Sequence, residues 1–89
     1  MERTWNNLQP GDMIIELDGW KAVFVIAKES DLRNHWDVVV LSSNHPRNGE
    51  LAAYRQNWLR RCGYSGGPGS IPVPPNRRVI RGGEVLFET

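Results

Sequence analysis

Cysteine occurs once in this chain, at Cys62. One thiol cannot cross-link a fold on itself, so no disulfide framework is expected, and a reducing, cytoplasmic compartment fits best. Long apolar runs are missing as well. The longest, Ala22-Val23-Phe24-Val25-Ile26-Ala27, falls far short of the about 20 residues that cross a bilayer as a helix. No membrane partner is expected. The opening stretch, Met1 to Asn7, holds no apolar segment of the kind a secretory signal needs.

Groups that carry chemistry are sparse. The two histidines, His35 and His45, fall in stretches read as loops. Neither stands at short metal-ligand spacing from the other or from Cys62, so no metal site is expected. Arg60 and Arg61 would lower the pKa of the Cys62 thiol, but no base held by a third group accompanies it. The glycines at 63–70 lack the Gly-Lys-Ser/Thr ending of a phosphate loop. At most, the backbone N–H groups of Gly66, Gly67 and Gly69 would line an unnamed anion pocket. Asp12, Glu16, Asp18 and Asp37 flank predicted strands as turn and edge residues, not as an acid–base pair. No catalytic residue and no cofactor is expected, and the chain reads as a binding module, not an enzyme.

What is present belongs to a small β protein. The 89 residues make one domain, 1–89, with a thin core. Six prolines and nine glycines in so short a chain argue against a helical bundle and for short strands joined by turns. The net charge of +1 conceals an asymmetry: residues 1–44 carry four basic and seven acidic side chains, residues 45–89 seven basic and three acidic. Nine of the eleven basic residues are arginine, whose planar fork of donors suits phosphate and carboxylate. An anionic partner and a merely solvated face account for this equally well.

Along the chain, Leu8-Gln9-Pro10-Gly11-Asp12 is a turn. Met13 to Leu17 is a strand with Met13, Ile15 and Leu17 on one side. Asp18-Gly19 signals a two-residue hairpin turn. Trp20 to Lys28 reads as a central strand covered on both faces. Trp36 to Ser43 is a third strand, with Trp36, Val38 and Val40 sharing a face. Residues 50–62 admit two readings: an amphipathic helix striped by Leu51, Tyr54, Trp58 and Cys62, or a strand Glu50 to Arg55 followed by a short helical turn. The meander rhythm favours the strand. Residues 63–76 form a Gly/Pro-rich loop, flexible to Ser70 and extended from Ile71 to Asn76. Arg77 to Arg81, Gly82-Gly83 and Glu84 to Phe87 make a hairpin or one bent strand. Four tryptophans, Trp5, Trp20, Trp36 and Trp58, border these elements. Trp20 and Trp36 are expected in the core.

Leu8-x-Pro10-Gly11-Asp12 opening a strand, the Asp18-Gly19 turn, Asn48-Gly49-Glu50-Leu51-x-x-Tyr54-Arg55 and the closing Val79-Ile80-Arg81-Gly82-Gly83-Glu84 together resemble an SH3-like small β-barrel. Their style is similar to that of short phage proteins. The resemblance implies a mostly-β fold, an SH3-like barrel or a strongly bent antiparallel sheet, with a short helix allowed within 50–62. It implies no particular activity.

Rings interleaved with guanidinium groups are the best candidate for a site. Tyr54 or Trp58 would stack on a base while Arg55, Arg60, Arg61, Arg77, Arg78 and Arg81 hold phosphates. The expected partner is a nucleotide or nucleic acid. The modest charge excess favours a small ligand over non-specific DNA, and the phage likeness suggests a host-defence nucleotide signal held out of circulation. The alternative is a protein-interaction module or an inhibitor docking on a host protein, since Trp, Tyr and Arg also anchor interfaces. Free sheet edges make a homo-oligomer expected in either case.

Overall fold

The computed structural model describes residues 3–19, 21–42, 44 and 63–89. They are mostly β. A 3-10 helix at Trp5–Asn7 is followed by β1 (Met13–Glu16), β2 (Val23–Glu29), β3 (His35–Ser42), β4 (Gly63–Ser65), β5 (Arg77–Arg81) and β6 (Glu84–Glu88). Every pairing is antiparallel. The strands lie in the order β4-β3-β2-β1-β5-β6, an open sheet in which β5 returns to the free side of β1.

Side chains alternate between the two faces of a strand, and the register sorts them into two rows. One runs Val40–Phe24–Ile14–Val79–Phe87 across five strands. Ile14 and Val79 in it are wholly buried. Trp5, Leu8, Ile26, Trp36, Val38 and Val73 complete this core, with Phe24, Tyr64 and Leu86 packed against it. The other row, Val39–Val25–Met13–Ile80–Val85, crosses the same strands on the opposite face. Its first four members are half-buried and Val85 is 56% exposed.

The expected strands of the first half are present. On β1 the fully buried residue is Ile14, while Met13 and Ile15 on the other side are half-buried and Leu17 is exposed. In β2 only Ile26 is fully buried, so this strand is central in the sheet without being covered on both faces. On β3, Trp36, Val38 and Val40 are buried together as expected.

Turn chemistry explains the corners. Pro10-Gly11 makes a turn in which Asp12 N–H donates to Gln9 O at 3.0 Å and Gly11 takes φ +93°, the second central position of a type II turn. The β5–β6 hairpin turns on Gly82 and Gly83 at φ +60° and +83°, the two left-handed positions of a type I′ turn. The β1–β2 connection is longer than the expected two-residue turn. Glu16 N–H still donates to Ala22 O, and Lys21 N–H closes back on Asp18 O.

Within 63–70, read as a flexible loop, the chain is packed at two places, and within 71–76, read as extended, it pairs with residues 3–5. Gly63–Ser65 pairs with β3 as β4. Gly67 lies against the His35 backbone, and its N–H donates to Asn34 O at 2.8 Å. Pro72 bridges to Thr4. The flanking bonds, Trp5 N–H to Ile71 O and Val73 N–H to Arg3 O, spare the proline its missing donor. Of the tryptophans, Trp5 and Trp36 are core residues. Trp20 and the alternative readings of 50–62 lie outside the described residues.

Candidate binding surface

The three described arginines of the expected phosphate set all sit on β5, and each already faces a carboxylate. At the end nearest Gly82, Arg81 grips Asp12 with two prongs, Nε to Oδ1 and Nη2 to Oδ2, both at 2.8 Å. The same Nη2 donates to Asn7 O at 2.8 Å. Asp12 is 1% exposed, and its Oδ2 also accepts the Gln9 N–H at 2.8 Å. A buried carboxylate so fully hydrogen-bonded is a structural anchor. The Asp12 hydrogen bond raises the Arg81 guanidinium above its ordinary pKa.

At the other end of β5, Arg77 lies among Glu16, Asp18 and Tyr64. Its Nε donates to Tyr64 Oη at 3.0 Å and Nη1 to Pro75 O at 2.9 Å. Nη2 stands 3.6 Å from Glu16 and Nη1 3.8 Å from Asp18. Asn76, held at φ +61°, adds an Nδ2 bond to Asp18 Oδ2 at 2.8 Å. Burial pushes the Tyr64 phenol above its ordinary 10.0, against the Arg77 hydrogen bond and charge that pull it down. Desolvation works to lower the Arg77 pKa, but Tyr64, Glu16 and Asp18 outweigh it, and the result is a raised value. Tyr64 also meets Trp5 edge-on at 5.2 Å and Phe24 at 5.1 Å, which ties this polar group to the core.

Arg78 differs. Ile15 faces it across the ladder to β1, which puts it beside the outer apolar row. Its Nε pairs with Glu88 Oε1, and the two side chains keep 39% and 48% of their exposure. Its terminal nitrogens make no hydrogen bond among the described residues.

Tyr54, Arg55, Trp58, Arg60 and Arg61 lie outside the described residues, as do His45 and Cys62. His35 opens β3 instead of lying in a loop, and its Nδ1 is 2.7 Å from Arg33 O. The Gly67 N–H is spent on Asn34 O, so it is not a donor to an anion. Among the described residues no three of His, Cys, Asp and Glu gather as a metal would require. No described helix is long and apolar enough to cross a membrane. The Trp36 indole N–H is buried and has no hydrogen-bond partner among the described residues.

Sequence reading passed over Asp12, Glu16 and Tyr64 as members of these groups. The only signal was composition: an excess of acid in the first half and of arginine in the second, which the antiparallel pairing of β1 with β5 brings face to face. Comparison with protein families, with curated proteins and with solved structures gives no match.

Proposed function

We propose that this chain is a non-enzymatic module that docks on another protein. The observation that carries the reading is the outer apolar row Val39–Val25–Met13–Ile80–Val85. Apolar side chains line up there without a charged member and without a second layer among the described residues. Patches of this kind on small soluble proteins mark interaction sites. The return of β5 to the free side of β1 supports reading the sheet as an SH3-like arrangement with one added strand, and such folds serve as docking scaffolds. In this reading the internal pairing of Arg77 and Arg81 builds the scaffold, and the apolar row makes the contact.

The test is a pull-down with the native chain and a variant carrying Val25→Lys and Ile80→Lys. Retention of a defined protein by the native chain alone is the expected result. Equal retention by the two overturns the reading.

A second reading keeps the anionic ligand: a nucleotide, a host-defence nucleotide signal sequestered by a phage protein, or nucleic acid. One observation favours it. Arg78 commits a single nitrogen to Glu88 and stays partly exposed, so its remaining donors are available to a phosphate. Native mass spectrometry of the purified protein, followed by release of bound small molecules, separates the readings. A retained mass of nucleotide size supports the anionic ligand.

A further inference from the structure

The run Ile71-Pro72-Val73-Pro74-Pro75 lies outside the sheet. Three of its five residues are prolines, and each ring holds φ at about −65°. Ile71, Val73 and Pro74 precede a proline, which pushes them to extended backbone. Covalent chemistry alone thus confines the run to a strand or to polyproline II.

Burial decides between the two. A strand repeats every two residues and would turn Ile71, Val73 and Pro75 to one side. Polyproline II has three residues per turn. It groups Ile71 with Pro74 on one edge, Pro72 with Pro75 on a second, and leaves Val73 on the third. Val73 is 5% exposed, whereas Ile71 keeps 49%. Pro72 and Pro75 are exposed and Pro74 is half-buried. The three-residue repeat is the one that turns Val73 inward without its neighbours. The core holds one edge of the run, and the other two, each an apolar pair, face out.

The fold also fixes this shape. Trp5 N–H donates to Ile71 O at 3.1 Å, and Val73 N–H to Arg3 O at 3.0 Å. Thr89 Oγ1 donates to Pro74 O, and Arg77 Nη1 to Pro75 O at 2.9 Å. Asn76, at φ +61°, ends the run. Since Ile71 O and Val73 N–H face residues 3–5, the Pro72 carbonyl faces away from them. No donor among the described residues reaches it. A segment held in this way gives up little chain entropy when it docks.

We infer that residues 71–75 are a displayed ligand for an aromatic-lined groove on a partner protein, a groove of the SH3 kind. Such grooves read proline runs spaced Pro-x-x-Pro, here Pro72 to Pro75. Rings of the partner would pack against the two outward edges, and a hydroxyl or indole N–H would donate to Pro72 O. Arg77 takes no part, being engaged by Tyr64, Glu16 and Asp18. Val73 packs in the core with the inner row, so this surface is separate from the outer apolar row. Its partner need not be the one that row contacts.

The probe is a set of isolated SH3 domains that bind Pro-x-x-Pro peptides in either chain direction. The control for each is the same domain with alanine in place of its groove tryptophan. Each is titrated into the isotopically labelled native chain and followed by NMR. The expected result is that at least one intact domain shifts the Ile71, Val73 and Asn76 amides together, and that its control shifts none. Pro72→Ala and Pro75→Ala should each weaken this binding by about tenfold or more, because each strips a ring from the same edge. Melting curves establish that these variants fold. If either does not, Ile71→Lys decides: it alters an exposed side chain, keeps the backbone bond to Trp5, and should weaken binding to a similar degree.

No shift at these amides with any domain of the set overturns the inference. So do equal shifts with the controls, or binding unchanged by the three substitutions. Shifts confined to Val39, Val25 and Met13 overturn it while leaving the outer row as a contact surface. A doubled mass of the free chain at rising concentration, with the Ile71, Val73 and Asn76 amides shifted, overturns it in favour of a second copy of this chain.

Discussion

Asp12 and Arg81 are 69 positions apart in sequence and meet in a two-pronged ion pair, with both hydrogen bonds at 2.8 Å. The pair joins the Pro10-Gly11 turn to the end of β5 beside the glycine hairpin, and Asp12 is buried in doing so. Removing either partner leaves the other without its complement. Asp12→Asn and Arg81→Gln should each lower the melting temperature clearly. The double variant should lose less than the two single losses combined, because the second change removes a group already stripped of its partner. Calorimetry on the three variants checks this, and strict additivity would mean that the pair is not coupled.

Gly67 is fixed by its neighbour's backbone. A Cβ there would stand 2.5 Å from the His35 carbonyl carbon, and backbone cannot step aside as a flexible side chain can. Gly67→Ala should therefore cost about 2–3 kcal/mol, in the range of overpacked interiors. That is roughly 10–20 °C in melting temperature for a chain of this size. Asn34 and His35 should show the largest shifts in an NMR comparison, since the displaced segment bonds through Gly67 N–H to Asn34 O.

These two features mark the boundary of what sequence could reveal. The Gly82-Gly83 hairpin and the shared face of Trp36, Val38 and Val40 were legible because each is a local pattern: two residues suited to positive φ, or an alternation within one strand. The buried face of β1 was not, because Ile14 and Ile15 are both apolar and either parity satisfies the pattern. Which one faces inward is decided by the pairing with Phe24 and Val79 on other strands. A carboxylate in a turn looks the same whether it is solvated or clasped by an arginine far along the chain. Arginines read as free phosphate ligands were, for the same reason, indistinguishable from arginines neutralised at home. The glycines of 63–69 looked like freedom because composition cannot show the close approach that requires Gly66 and Gly67.

Tyr64 gives the fold a limit at alkaline pH. Its phenol sits above the ordinary value of 10.0, with burial as the leading cause. Below that value both folded and unfolded chains hold the proton, and the stabilisation is complete. As the pH rises past 10.0 the unfolded chain releases the proton first. The unfolded state then binds fewer protons than the native one, and stability falls with pH until the folded phenol ionises too. Denaturant titrations at rising pH, paired with tyrosinate absorbance, should show this decline, and Tyr64→Phe should flatten it. At neutral pH the same substitution should cost about 1 kcal/mol for the lost bond to Arg77 Nε.

Arg78 offers a test that separates folding from ligand binding. Its pairing with Glu88 is partly exposed on both sides, and such surface pairs contribute about 0–1 kcal/mol. Arg78→Gln should therefore leave the melting temperature within a few degrees of the native chain, whereas Arg81→Gln should not. If a phosphorylated ligand is held through the spare nitrogens of Arg78, its retention in native mass spectra should drop about tenfold or more in Arg78→Gln at unchanged stability. If the outer apolar row is the contact surface instead, Arg78→Gln should leave partner retention nearly unaltered, and Val25→Lys should abolish it. The two variants thus pull the two readings apart without relying on a change that unfolds the protein.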